Sequence, residues 1–160
     1  MKRLLPSLLF VVAALLGGCT EAVGDHGAAV PPPEVSASTD AQEAAGVVRR
    51  YYAAIRAKDF RSAYALWGES GAASGQTFEA FAAGFAQTAN VEAEIGEPGR
   101  VEGAAGSRYV EVHVVIRALT DAGEKQRFEG TYTLRRTVVD GATPEQRRWH
   151  LYKADVKRIR

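Results

Sequence analysis

The spacing of apolar residues changes once along this chain, near Asn90, and that change limits the possible architectures more than any other feature. Before it, Ala44, Val47, Val48, Tyr51, Ala54 and Ile55 recur at helical spacing, with Arg49, Arg50, Arg56 and Lys58 on the opposite side. Such a pattern predicts an amphipathic helix. Thr39 and Asp40, followed three residues later by Gln42 and Glu43, form two overlapping capping boxes and place the helix start there. Asp59 is the expected cap of a second helix bearing Phe60, Ala63, Tyr64 and Trp67. Gly68 to Gly75 reads as a small-residue loop, and Phe78, Phe81, Ala82 and Phe85 mark a third helix.

Beyond Asn90 the period falls to two. Val91, Ala93 and Ile95 alternate with Glu92 and Glu94, and the run ends at Gly96-Glu97-Pro98-Gly99. Val110, Val112, Val114 and Ile116 give a clearer strand, and Gln126 to Val139 a third, in which Phe128, Gly130, Tyr132 and Leu134 share one face. Gly130 inside that strand fits a bend or the close approach of a helix. The last strand, Trp149 to Ile159, is expected to carry a bulge, because Trp149 and Leu151 are out of phase with Ala154 and Val156. Three helices ahead of about four antiparallel strands predict one α+β domain over residues 40–160.

The N-terminus reads as an address. Lys2 and Arg3 precede a thirteen-residue apolar run, Leu4 to Leu16, too short for a membrane-spanning helix, which needs about 20 residues. The run ends in Leu16-Gly17-Gly18-Cys19, and this segment resembles the lipobox of bacterial lipoproteins. The resemblance implies signal peptidase recognition at Leu16, Gly17 and Gly18, removal of residues 1–18, and acyl chains on Cys19. Thr20, rather than Asp, after the Cys implies the periplasmic face of the outer membrane over the inner membrane. Residues 19–39 contain Pro31-Pro32-Pro33 and no regular period, and read as a lipidated flexible tether. Two or more acyl chains hold a soluble domain on a bilayer persistently.

The order of elements, and above all the stretch from Val47 to Ile55 followed by Asp59-Phe60-Arg61-Ser62-Ala63-Tyr64-Ala65-Leu66-Trp67, resembles the nuclear transport factor 2-like (SnoaL-like) superfamily. That resemblance implies three N-terminal helices packed in the concavity of a curved antiparallel sheet of about four strands, a cone. The superfamily includes ketosteroid isomerases, polyketide cyclases, dehydratases and many non-catalytic proteins, so the fold alone does not fix a function.

Composition narrows the classes further. With 46% hydrophobic and 24% charged residues and a formal net charge of +1, the chain is neither a disordered nor a strongly basic protein. A single Cys excludes a disulfide framework and a Cys-rich zinc site. The sequence contains no GxxxxGK[ST], GxSxG or HExxH motif, and no metal or other cofactor is expected. Residues 40–124 hold 8 basic and 12 acidic side chains, whereas 125–160 hold 10 and 4. This asymmetry suits a solvated sheet face or a surface for an anionic partner.

An isomerase or cyclase needs a carboxylate or His as base, and donors for the enolate oxygen. Tyr51, Trp67, Phe81, Phe85, Tyr132 and Trp149 are expected to line the cone. The acid/base candidates are His113, in phase with Glu111 and Arg117 and so placed on the outer face, or a cone tyrosine among Tyr51, Tyr64 and Tyr132, whose leading expected role is packing. Because no Asp or Glu is clearly in phase with the inward residues, the leading expectation is a non-catalytic ligand- or protein-binding module anchored to the membrane through Cys19. Its partner would be a small apolar ligand or an envelope protein and not nucleic acid, with the sheet face available for a homodimer. The alternatives are a small-molecule enzyme of the ketosteroid isomerase or polyketide cyclase type, and an assembly component of a cell-envelope complex.

Overall fold

A computed structural model describes residues 33–160, with side chains from residue 37. Cys19, the lipobox and most of the expected tether lie outside the described residues. Among those described, no helix is long and apolar enough to cross a membrane.

The first helix, α1, runs from Pro33 to Arg56 and so begins ahead of the capping boxes, inside the stretch read as tether. Pro suits the first helical turn, where its missing N–H has no intrahelical partner to lose. Asp40 is therefore not a cap. It sits within the helix on the buried side, only 7% exposed, and its carboxylate is used by the sheet, as described below. The expected face of α1 is buried: Ala44, Val47, Val48, Tyr51 and Ile55 are all in the core, joined by Ala41, Ala45 and Tyr52. Burying each large aliphatic side chain contributes about 1.5–3 kcal/mol.

Helix α2, Phe60–Ala65, is capped by Asp59, whose side chain accepts a hydrogen bond from the Ser62 N–H at 3.0 Å. The Ser62 hydroxyl first, and then this N–H bond, hold the exposed Asp59 carboxyl below the usual carboxylate range. The small-residue loop contains a kinked 3-10 helix, Glu69–Ser74. Its Glu69, Ser70 and Gly71 all take positive φ. Gly71 is required here, since a Cβ would lie 2.0 Å from the Tyr64 ring. Helix α3, Phe78–Gly84, is capped by Thr77.

The sheet has five strands: β1 Thr88–Pro98, β2 Glu102–Ala104, β3 Ser107–Thr120, β4 Lys125–Thr137 and β5 His150–Ile159. All pairs are antiparallel in the order β1-β3-β4-β5, with β2 also paired to β3. This corrects the expected cone of about four strands in two respects. Strand β2 escapes a pattern reading because its three residues are all exposed and carry no apolar alternation. The sheet is also not strongly curled. Its central pair, β3 and β4, keeps an unbroken register from Ser107↔Thr137 to Leu119↔Lys125, with no bulge to bend it, and the irregularities fall in the flanking pairs.

The expected bulge in β5 is present. Lys153 opposes Thr133 and Leu151 opposes Leu134, leaving Tyr152 as the extra residue. Gly130 does mark a close approach, but to a strand and not to a helix: a Cβ there would lie 2.0 Å from the Asp155 carbonyl oxygen of β5. The inward residues Val110, Val112, Val114, Tyr132, Leu134 and Leu151 meet α1 and Trp67 to complete the core.

Candidate functional site

Aromatic side chains gather where α1, the α2–α3 region and strands β4 and β5 converge. Tyr51 lies at ring-centroid distances of 5.1 Å from Tyr52, 6.2 Å from Trp67, 6.3 Å from Phe81 and 5.9 Å from Tyr132. Helical spacing puts Tyr51 and Tyr52 on the buried side of α1, and strand alternation brings Tyr132 inward from β4. Within this cluster the Tyr52 and Tyr132 hydroxyls are 2.9 Å apart. Either can donate; when Tyr52 does, Tyr132 keeps its own hydrogen for another acceptor.

A cleft of about 520 Å³ opens beside the cluster, within the range common for small-molecule sites, roughly 300–1,000 Å³. Tyr51, Trp67 and Tyr132 face it, with Phe81 and Phe85 as apolar walls and Lys153 as the sole charged lining residue. Tyr52 stands behind Tyr132, outside the lining. Burial pushes the Tyr51, Tyr52 and Tyr132 hydroxyls well above their ordinary acidity range, and for Tyr51 the neighbouring Tyr132 adds to this. All three are therefore neutral donors near neutral pH.

Trp67 is 6% exposed, and its indole N–H has no hydrogen-bond partner. The neighbouring indole acts to lower the Tyr51 pKa against the larger effect of burial, yet it makes no bond of normal geometry to that hydroxyl. An unsatisfied buried donor costs about 1–3 kcal/mol. The cleft thus presents hydroxyl and indole donors on an aromatic floor, with no carboxylate and no imidazole. Such a lining can hold an oxygen that gains negative charge.

Trp149, expected beside this cluster, is buried elsewhere. Its indole N–H donates to Asp40 Oδ1 at 2.9 Å, while Arg108 and Arg136 reach Asp40 Oδ2 at 3.0 and 2.7 Å. The Arg136 guanidinium also lies 5.2 Å from the Trp149 ring centroid. This arrangement ties α1 to β3, β4 and the entry of β5, and it is structural. Phe85 is partly buried and lies 5.2 Å from Phe81.

His113 is on the exposed sheet face, away from the cleft, with its Nε2 3.3 Å from Glu129. His150, which the pattern reading passed over, is the less exposed imidazole. Its Nε2 is 2.8 Å from Glu145 and its Nδ1 3.0 Å from the Arg148 carbonyl oxygen. Both partners are acceptors, and the ring is held from both of its nitrogens. His150 fastens the β4–β5 connection and pulls the Glu145 carboxyl below its ordinary range. Tyr52 is the other residue missed; its signal was Ala45, seven residues earlier, which widens the apolar stripe. Among the described residues no cluster of three or more side chains has a metal-binding arrangement.

No protein-family model matches the chain, and no curated protein matches it in sequence. Solved structures do. A "putative dehydratase from the NTF2-like family" of Streptomyces avermitilis matches with a TM-score of 0.53 at 17% identity, covering 77% of this chain and 98% of that one. The Kfla4162 protein of Kribbella flavida matches at 0.50 and 14% identity, covering 75% and 90%. A "putative scytalone dehydratase" of Novosphingobium aromaticivorans matches at 0.50 and 11% identity, covering 79% and 85%. Two of these three structures carry dehydratase names, which runs against the leading expectation of a non-catalytic module and against the expectation that the chain is more likely not an enzyme. At these identities the likeness is one of architecture, and by it the chain has an NTF2-like fold.

Proposed function

We propose that this chain is an enzyme acting on a small carbonyl compound, of the isomerase, cyclase or dehydratase kind, in which the Tyr132 hydroxyl donates to an oxygen that becomes negative as the substrate enolises. The observation that carries the reading is the buried Tyr52–Tyr132 hydroxyl contact at the head of a cleft. Either hydroxyl can donate in this contact; when substrate binding takes the Tyr132 hydrogen, Tyr52 turns to donate to Tyr132. Tyr51 supplies a second hydroxyl from α1. Phe81 and Phe85 exclude water from one side, which strengthens these interactions. The chain's own contribution is thus on the acid side of the reaction, and the α-proton passes to solvent water or hydroxide entering the open cleft, whose lining holds no carboxylate or imidazole. The dehydratase names on two structures of the same fold support the class of chemistry.

The test is hydrogen–deuterium exchange at the α-carbon of a small cyclic ketone such as 2-tetralone, followed by NMR in deuterated buffer. The wild-type chain should accelerate exchange over buffer. Tyr132→Phe should remove about 10²–10³-fold of that acceleration, the usual effect of losing one oxyanion donor. Exchange no faster than buffer would end the reading.

The location is a separate part of the proposal and rests on the sequence of residues 16–19. Acylation of Cys19 would hold the enzyme on a bacterial envelope membrane, with the outer membrane's periplasmic face favoured by Thr20. Metabolic labelling with an alkyne fatty acid should mark the wild-type chain and leave Cys19→Ser unlabelled. Equal labelling of both would contradict it.

A further inference from the structure

Strands β3 and β4 bring two pairs of arginines face to face. On the inner side of the sheet Arg108 opposes Arg136, and the fold reconciles the two with a shared anion: both guanidiniums reach Asp40 Oδ2, at 3.0 and 2.7 Å. On the outer side Arg117 opposes Arg127 in the same unbroken register. Like charges directly opposite on one face of a sheet are destabilising, and no carboxylate bonds to both members of this second pair. Arg117 is held by Glu94 of β1 at 2.6 Å, with both side chains more than half exposed. Glu94 also feels the charge of Arg127, but among the described residues Arg127 makes no hydrogen bond or ion pair of its own. Elsewhere on this face the register sets opposite signs against each other, Glu92 against Arg117 and Glu129 against Lys157.

A groove of about 820 Å³ runs over the outer arginine pair at the end of the sheet. Lys125, Arg158 and Arg160 line it with Arg117 and Arg127, against Glu92 as the sole acid. Arg158 is occupied by Glu124, whereas Lys125 and Arg160 have no ion-pair partner among the described residues. Lys125 opposes Leu119, two positions along β3 from Arg117, and so shares the outer face with both arginines. Leu119, 38% exposed, and Ile159 give the groove apolar surface.

A guanidinium presents a planar fork that fits two oxygens of one group. A single carboxylate satisfies one such fork, as Glu94 does. Two facing forks with an ammonium beside them match the double charge and three outer oxygens of a phosphomonoester.

We propose that this groove is a second binding site, for phosphomonoesters with an apolar body, in which Arg117 and Arg127 hold the phosphoryl group between them as Arg108 and Arg136 hold Asp40. Leu119 and Ile159 carry the apolar part. The site lies on the face of the sheet opposite Tyr132 and is independent of the enzyme reading. Its phosphoryl group can belong to a soluble compound or to the head of a lipid.

The probes are n-hexyl phosphate in solution, and phosphatidylcholine vesicles with and without phosphatidate, each added to the full chain at low ionic strength. Calorimetric titration should show hexyl phosphate binding that weakens about tenfold in Arg127→Ala, the loss of one charged hydrogen-bonding group. Arg127 is exposed, so its removal leaves the core intact. Arg127→Lys keeps the charge without the fork and should restore only part of the affinity. Glu94→Gln frees Arg117 and should tighten binding, while Glu43→Gln, the same charge change at an exposed position of α1, should not. n-Hexanoate should bind about tenfold more weakly than the phosphate. Hexyl phosphate binding with these responses upholds the site for a soluble ligand. Vesicle capture that needs phosphatidate and is lost in the Arg117→Ala, Arg127→Ala double variant upholds it for a lipid head. Binding in neither arm, or binding that Arg127→Ala leaves unchanged, would overturn the proposal.

Discussion

The Tyr52 and Tyr132 hydroxyls meet at 2.9 Å across a sequence separation of 80 residues, one from the helix and one from the sheet. Each polar group lies in an aromatic core where it would be costly alone, and the contact makes both tolerable. The same contact orients Tyr132 at the cleft.

Removing one partner should cost more than removing both. Tyr132→Phe leaves the Tyr52 hydroxyl buried without a partner and should lower stability by about 1–3 kcal/mol. The Tyr52→Phe, Tyr132→Phe double variant should lose less than the sum of the two single losses. Urea unfolding of the four proteins measures this; strict additivity would mean that the hydroxyls do not interact.

The raised pKa values of the buried tyrosines make stability fall in alkali. A hydroxyl whose folded value lies above its unfolded value of about 10 contributes its full share below that pH. It loses that share as pH rises toward the folded value, because the unfolded chain ionises first. The urea midpoint should therefore drop between pH 9 and 11, and drop less in Tyr52→Phe than in the wild type. Identical alkaline slopes would show that Tyr52 ionises freely in the folded protein.

Asp40 should be among the most sensitive polar residues. Asp40→Ala strands Arg108, Arg136 and the Trp149 indole N–H together. The guanidiniums are partly exposed, Arg108 at 47% and Arg136 at 24%, and can hydrate, so the loss should be about 1–3 kcal/mol and come mainly from the orphaned indole N–H. Chemical denaturation should reveal that loss, and a change below about 1 kcal/mol would mean the indole N–H is satisfied by water as well.

Gly130→Ala tests the β4–β5 register. The added methyl would collide with the Asp155 carbonyl oxygen and the Val156 Cα, both backbone, so the strands must part. Overpacking of this kind costs about 1–3 kcal/mol, and amide exchange should quicken along β5. Unchanged protection of the β5 amides would show that the sheet absorbs the methyl.

Most elements were legible because their signals are local. The α1 stripe, the Asp59 cap and the β5 bulge each follow from a handful of adjacent residues. Asp40 misled for the same reason: its capping-box pattern is local, whereas its partners Arg108, Arg136 and Trp149 come from far along the chain. Strand β2 is held by pairing with β3 and carries no apolar code. Of the site, Tyr51, Trp67, Phe81, Phe85 and Tyr132 could be read from their faces. Tyr52 and the hydroxyl contact could not, since helix and strand must first be docked. Nor could the shallow curl of the sheet, which depends on where bulges are absent.

The central claim is that the cleft's donors stabilise negative charge on a ligand oxygen, and the ionisation of a bound phenol reads this directly. A chromophoric naphthol titrated by absorbance in the presence of the protein should ionise at a lower pH than in buffer, and Tyr132→Phe should cancel most of that shift. A bound naphthol that ionises at its free value, or at a higher one, would contradict the account.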